Sequence, residues 1–258
     1  MKIGLVGFAG SGKTTVFNSL TGLNAPVGFG GEVRLGTARV PDDRIDSLSK
    51  IFSPKKTTYA EMAFVDIPGE YGAEKTGLSP RLLQQIRDQE ALCLVVRDFP
   101  NPALDTEPDP EGDVVSFHTE CVLADLDIVE RRLERARKEQ APAQEIASFE
   151  KMKAILEDER PLRSVPEKDL NRSALAGYGF LTDKPLLIVV NREEDRAGED
   201  LPAELSDRIA SIHAAGMSLS ASVEAEIADL DPEDQKAFLE DMGLSDPALS
   251  RFIRAAYG

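Results

Sequence analysis

The sequence has no tryptophan, only two cysteines and two histidines, and aromatic residues fill 6% of its 258 positions. Cys93 and Cys121 sit in apolar patterns without metal-ligand spacing. That excludes a disulfide scaffold or cysteine zinc site and reads as small core residues of a reduced, cytoplasmic protein. His118 and His213 lie far apart with no cysteine partners, so neither is expected to be a ligand or a base. Positive charge is also short. The balance of 30 Lys and Arg against 46 Asp and Glu leaves a net charge of −16, which disfavours non-specific binding to nucleic acid or anionic membrane. The acid is concentrated late: residues 193–247 hold sixteen Asp/Glu against three Lys/Arg. No apolar run approaches membrane-spanning length, and the N-terminal segment lacks a signal-peptide cleavage site. The length allows one large core, or one core with a modest appendage.

What is present concentrates near the N-terminus. Residues 7–14, Gly-Phe-Ala-Gly-Ser-Gly-Lys-Thr, are G-x-x-x-x-G-K-[ST] without a mismatch. An apolar strand precedes them, and a helix with Val16, Phe17 and Leu20 on one face follows, the context a phosphate-binding loop requires. Glycines at 7, 10 and 12 let successive backbone N–H groups cradle phosphate oxygens at a positive helix end. The predicted cradle is Gly7, Ala9, Gly10, Ser11, Gly12, Lys13, Thr14 and Thr15. Lys13 would reach the β- and γ-phosphates, and the Thr14 hydroxyl would ligate Mg²⁺. Asp66-Ile67-Pro68-Gly69 closes a strand some fifty residues later. There Asp66 would hold the same Mg²⁺, and the Gly69 N–H would face the γ-phosphate. Lys13, Gly69 and Glu70 are the catalytic candidates for phosphoryl transfer to water.

On the base side, Asn191-Arg192-Glu193-Glu194 stands where a G-protein carries N-K-x-D. In that motif the Asp accepts both the N1–H and N2–H₂ of guanine. Glu194 is one methylene longer and Asp195 one residue late, so guanine selection should be relaxed. Ser220, Ala221 and Ser222 match the S-A-x element that packs on the base. The predicted ligands are ATP or GTP with Mg²⁺.

Strands are predicted at 2–8, 33–40, 60–67, 91–98, 185–190 and 216–221. Helices are predicted at 13–22, 42–51, 79–89 and 202–212, and from 222 onward. This alternation implies an α/β fold, a Ras-like core with a mainly parallel sheet. Between 113 and 183 no strand is expected. Val122, Leu126, Val129, Leu133 and Ala136 form a short heptad seam, Pro142 opens a second helix, and Ile146, Phe149, Met152 and Leu156 continue its apolar face. The expected organisation is a discontinuous nucleotide-binding domain, 1–112 and 184–258, with a helical coiled-coil insert at 113–183. The hairpin tip carries Arg131, Arg132, Arg135, Arg137 and Lys138. Two readings stay open there: a solvated face with Glu134→Lys138 pairing, or a contact to RNA or another partner.

With these motifs in place, the chain resembles the Obg-like ATPase (YchF) family of translation-factor-related G-proteins. Further matching segments are Phe64-Val65-Asp66-Ile67, Val40-Pro41-Asp42-Asp43-Arg44-Ile45-Asp46, the stretch from Ala124 to Leu133, Leu181-Thr182-Asp183-Lys184-Pro185, and Ser220 to Ile227. The resemblance spans most of the sequence. It implies a coiled-coil insert, a preference for ATP over GTP accompanying N-x-x-E, and association with the ribosome. The chain departs from the family pattern at several positions. Gly10 replaces an asparagine linked to potassium-assisted hydrolysis, residues 22–32 hold no threonine to close over Mg²⁺, and Glu70 replaces an apolar residue. The Gly-rich segment after it is reduced to residues 72–77. The family continues into a small β-grasp (TGS) domain, and the chain is expected to be a member without it.

Overall fold

The apolar runs become the centre of a six-stranded sheet in a computed structural model that describes residues 1–28, 31–69, 78–170 and 172–257. The first half runs β1 (Lys2–Val6), α1 (Lys13–Thr21), β2 (Arg34–Arg39), α2 (Asp43–Phe52), β3 (Glu61–Asp66), α3 (Pro80–Arg87) and β4 (Ala91–Asp98). Then come α4 (Pro110–Lys138), α5 (Ala143–Glu157), α6 (Arg172–Leu175), β5 (Leu186–Arg192), α7 (Ala203–Ser211) and β6 (Ala215–Leu219). Helices α8 (Ala221–Asp229), α9 (Pro232–Asp241) and α10 (Ala248–Tyr257) close the chain. The strand order is β2-β3-β1-β4-β5-β6. Every pairing is parallel except β2 with β3. This is the predicted α/β architecture with its mainly parallel sheet.

Period-two alternation sends the sides of each strand to different cores. Leu92, Leu94 and Val96 of β4, with Leu186, Ile188 and Val190 of β5, pack under α3, α4 and α7. Cys93, Val95, Leu187 and Val189 face the other way, against Val16, Phe17 and Leu20 of α1 and Phe252 of α10. Burial pushes both cysteine thiols up, leaving them protonated and inert. Strand β5 runs on through Asn191 and Arg192, beyond the predicted end at 190, because Asn191 still pairs with Leu219 and Arg192 with Asp98.

Helix α4 starts on a cap its sequence supplies. The Asp109 side chain accepts from Gly112 N (2.9 Å), Pro110 sits in the first turn, and Arg135, Arg137 and Lys138 occupy the last. Its first half contributes Val114, Phe117 and Cys121 to the sheet's core. From Val122 onward it builds a separate core with α5: Val129 and Leu133 meet Phe149, Met152 and Leu156, closed by Leu162 and Phe180. Of the predicted seam, Val122, Val129 and Leu133 lie in this core and Leu126 is half-buried against it. The two cores meet at Asp125. This fully buried carboxylate accepts from Arg87 Nη1 (2.9 Å), Leu181 N (3.0 Å), Thr182 N (2.7 Å) and Thr182 Oγ1 (2.8 Å). Arg87 also donates to the carbonyls of Ala124 and Gly179, so α3, α4 and the approach to β5 share one buried ion pair. Among the described residues no helix is long and apolar enough to cross a membrane.

Candidate functional site

The phosphate loop joins β1 to α1, and its conformation explains its glycines. Gly10 and Gly12 hold φ values of 80° and 85°, the left-handed region that suits glycine. A side chain at Gly12 would collide with Asn191, and one at Gly10 with Leu104 and Asn101. Helix α1 begins at Lys13 with no side-chain cap, so its first amides face the loop unassisted. Ser11 is buried and its Oγ has no partner among the described residues.

Lys13 is 6% exposed, and its Nζ donates to the Phe8 carbonyl (2.9 Å). Burial lowers its pKa to about 8, with the nearby Asp66 charge only partly opposing the shift. Across the cavity the Thr14 hydroxyl donates to Asp66 Oδ2 (2.9 Å), while Asp66 Oδ1 is buried with no partner among the described residues. A hydroxyl and a carboxylate oxygen left open form the half-shell that a hard divalent cation uses alongside phosphate oxygens. Among the described residues no group of three or more His, Cys, Asp or Glu could hold a metal by protein ligands alone. Gly69 approaches so closely that an added Cβ would lie 2.6 Å from Lys13 Nζ and 3.0 Å from Ala9 N. These residues line a cavity of about 270 Å³ with Gly10, Gly12 and Thr15. Glu70 lies outside the described residues, as do residues 72–77.

A second cavity, about 520 Å³, adjoins the first through Gly12, Thr15 and Phe99, and is lined by Asn191, Glu194, Ala221 and Ser222. Asn191 ties its parts together: its Nδ2 donates to Ser11 O (3.1 Å) and its Oδ1 accepts from Ala221 N (2.9 Å). Glu194 is exposed, within a short 3₁₀ turn. Ser220 is buried and hydrogen-bonded to Ser222 (3.0 Å). Arg192 follows Asn191 at the end of β5. It lines this cavity, but its side chain is fully buried, held by Asp98 (3.2 Å) and the carbonyls of Glu199 (3.0 Å) and Asp200 (3.1 Å). The guanidinium anchors the loop after β5, and its Nη2 is buried with no partner among the described residues.

Three lining residues escaped the sequence reading. Phe99 stands between the cavities, and Asn101 donates to Gly10 O (3.3 Å), both from the loop after β4. Arg34 opens β2 with Nη1 3.4 Å from Asp66 Oδ2. None belongs to a sequence motif. Only the register β1 against β4, and β2 against β3, brings them to the loop.

The sequence matches the family of 50S ribosome-binding GTPases over residues 2–124. It is similar to the ribosome-binding ATPase YchF of Haemophilus ducreyi, 36% identical over 275 aligned residues that cover 99% of this chain and 75% of that protein. The ribosome-binding ATPase YchF of Bacillus subtilis is 33% identical over 272 residues, covering 98% and 74%. Among solved structures, that of the Schizosaccharomyces pombe YchF GTPase shares the fold with a TM-score of 0.82. It matches 98% of this chain and 74% of that one at 22% identity.

Proposed function

The chain belongs to the YchF family of ribosome-binding ATPases, and from that premise we propose that it binds a purine nucleoside triphosphate with Mg²⁺, favours ATP over GTP, and hydrolyses it slowly. The observation that carries this reading is the convergence of Lys13, Thr14, Asp66 and Gly69 on one cavity beside the bare amino end of α1. Mg²⁺, when bound through Thr14 and Asp66, would neutralise phosphate charge and orient the terminal phosphate. The loop amides and Lys13 would stabilise the charge that develops on the leaving oxygen. Lys13, already largely buried, has little further desolvation to undergo on meeting an anion.

The adjoining cavity suits a purine, with Phe99 at the junction and Glu194 at its rim. The longer Glu194 carboxylate supports relaxed guanine recognition and hence ATP. A second reading is a nucleotide-set interaction protein that barely hydrolyses. It is favoured by the phosphate cavity, where Glu32 is the only carboxylate besides Asp66 among the described lining residues. In either case the helical pair from Val122 onward, with its own core, acts as an appendage to the nucleotide domain, and association with the ribosome follows the relatives. Calorimetric binding of ATP, GTP and ADP with Mg²⁺, followed by phosphate release at saturation, tests the proposal. Binding without phosphate release would select the second reading, and absence of binding would overturn both.

A further inference from the structure

Three arginines of this fold serve the backbone. Arg97 and Arg192 are buried and Arg163 is half-buried, and each donates to two or more backbone carbonyls, so their task is to hold loops. Arg34 differs. It lines the phosphate cavity with Lys13, Thr14 and Gly69, and its side chain is 28% exposed. Of its five N–H donors, the contact seen among the described residues is a single long one, Nη1 to Asp66 Oδ2 at 3.4 Å. Asp66 is also its cross-strand neighbour in the β2–β3 register. That oxygen already accepts the shorter Thr14 hydrogen bond (2.9 Å).

A planar guanidinium with most donors unused among the described residues, facing a phosphate cavity, suits bidentate recognition of a phosphate. We propose that Arg34 is a cis-acting arginine for the terminal phosphate of a bound nucleoside triphosphate, a reading that rests on the nucleotide function proposed above. Transfer of the guanidinium from Asp66 to the phosphate leaves Asp66 its Thr14 hydrogen bond and strands no donor. It also adds a second positive charge to the cavity that Lys13 lines, where charge on the transferring phosphoryl group must be stabilised. The competing role is a plain cross-strand ion pair, which contributes to β2–β3 pairing and does not distinguish triphosphate from diphosphate.

The test compares wild type, Arg34→Gln and Arg34→Lys for binding of a non-hydrolysable ATP analogue and of ADP at one fixed Mg²⁺ concentration, with thermal melting of each variant. Arg34→Gln should weaken the triphosphate analogue at least about tenfold, as expected for one lost charge-assisted contact, with ADP changed less than about twofold. Arg34→Lys, which keeps the charge without the fork, should fall between and provides the comparison if the glutamine variant melts early. Equal weakening of both nucleotides, or no weakening of either, overturns the proposal while leaving nucleotide binding intact. Wild type that binds neither nucleotide overturns the nucleotide reading, and this one with it.

Discussion

Lys13 is buried, has no carboxylate among the described residues within hydrogen-bond range, and has a pKa lowered to about 8. Its folded value lies below its unfolded one, so the unfolded chain binds more protons between about pH 8 and the ordinary lysine value. Without ligand, Lys13 therefore weighs against folding below about pH 8, and that cost is relieved as pH rises through the window. A bound phosphate reverses the preference by favouring the charged amine. Triphosphate affinity from this group should be flat up to about pH 8 and then fall, by up to about tenfold per pH unit. Calorimetry from pH 7 to 9.5 reads the slope, and Lys13→Ala should lose both the slope and most of the binding. On the base side, Glu194→Asp should raise the GTP/ATP affinity ratio by about tenfold or more, since a carboxylate accepting both guanine donors contributes about 1.5–3 kcal/mol. Competition binding of the two nucleotides checks this. A wild type that already prefers GTP would locate base reading elsewhere in the loop after β5.

At the scale of elements, the node at Asp125 decides how the helical pair sits on the sheet. Replacing Asp125 by Ala would leave the Arg87 guanidinium and the Thr182 donors buried without their acceptor. The expected loss is about 3–5 kcal/mol, as for breaking one side of a buried pair, read by urea unfolding. Strands β4 and β5 were legible because their apolar runs are unbroken, and the α4–α5 seam because its spacing is helical. Two features were hidden. The handover of α4 from one core to another leaves no mark in the periodicity, since Phe117, Cys121 and Val122 continue one helix while serving different partners. Phe99, Asn101 and Arg34 are loop or strand-end residues whose relevance depends on which strands become neighbours. Their placement follows from pairings such as Val6 with Leu94 and Arg34 with Asp66. The phosphate loop needed no such help, because its function lies in one contiguous stretch of backbone.

For the whole molecule, net charge and the hairpin tip bear on the proposed ribosome contact. The tip's five cations looked in sequence like the one basic feature of an acidic chain. In the fold each has a carboxylate: Arg131 with Asp127, Arg132 with Glu139 and Glu145, Arg135 with Glu139, Arg137 with Glu150, and Lys138 with Glu134. Such exposed pairs add little stability, but they cancel the local field, and the surrounding charge of −16 repels phosphate at longer range. A protein that bound RNA through 6–10 phosphate contacts would lose about 10³–10⁵ in affinity between 50 and 200 mM salt. This chain should lose less than about tenfold over that range, because few counterions would be released. Co-sedimentation with ribosomes across a potassium chloride series measures it. Glu134→Gln with Glu150→Gln would free Lys138 and Arg137, and should tighten low-salt binding and steepen the salt dependence. A steep dependence in wild type would mean that the tip exchanges its carboxylates for phosphates on contact, making the self-paired hairpin a latent RNA-binding surface.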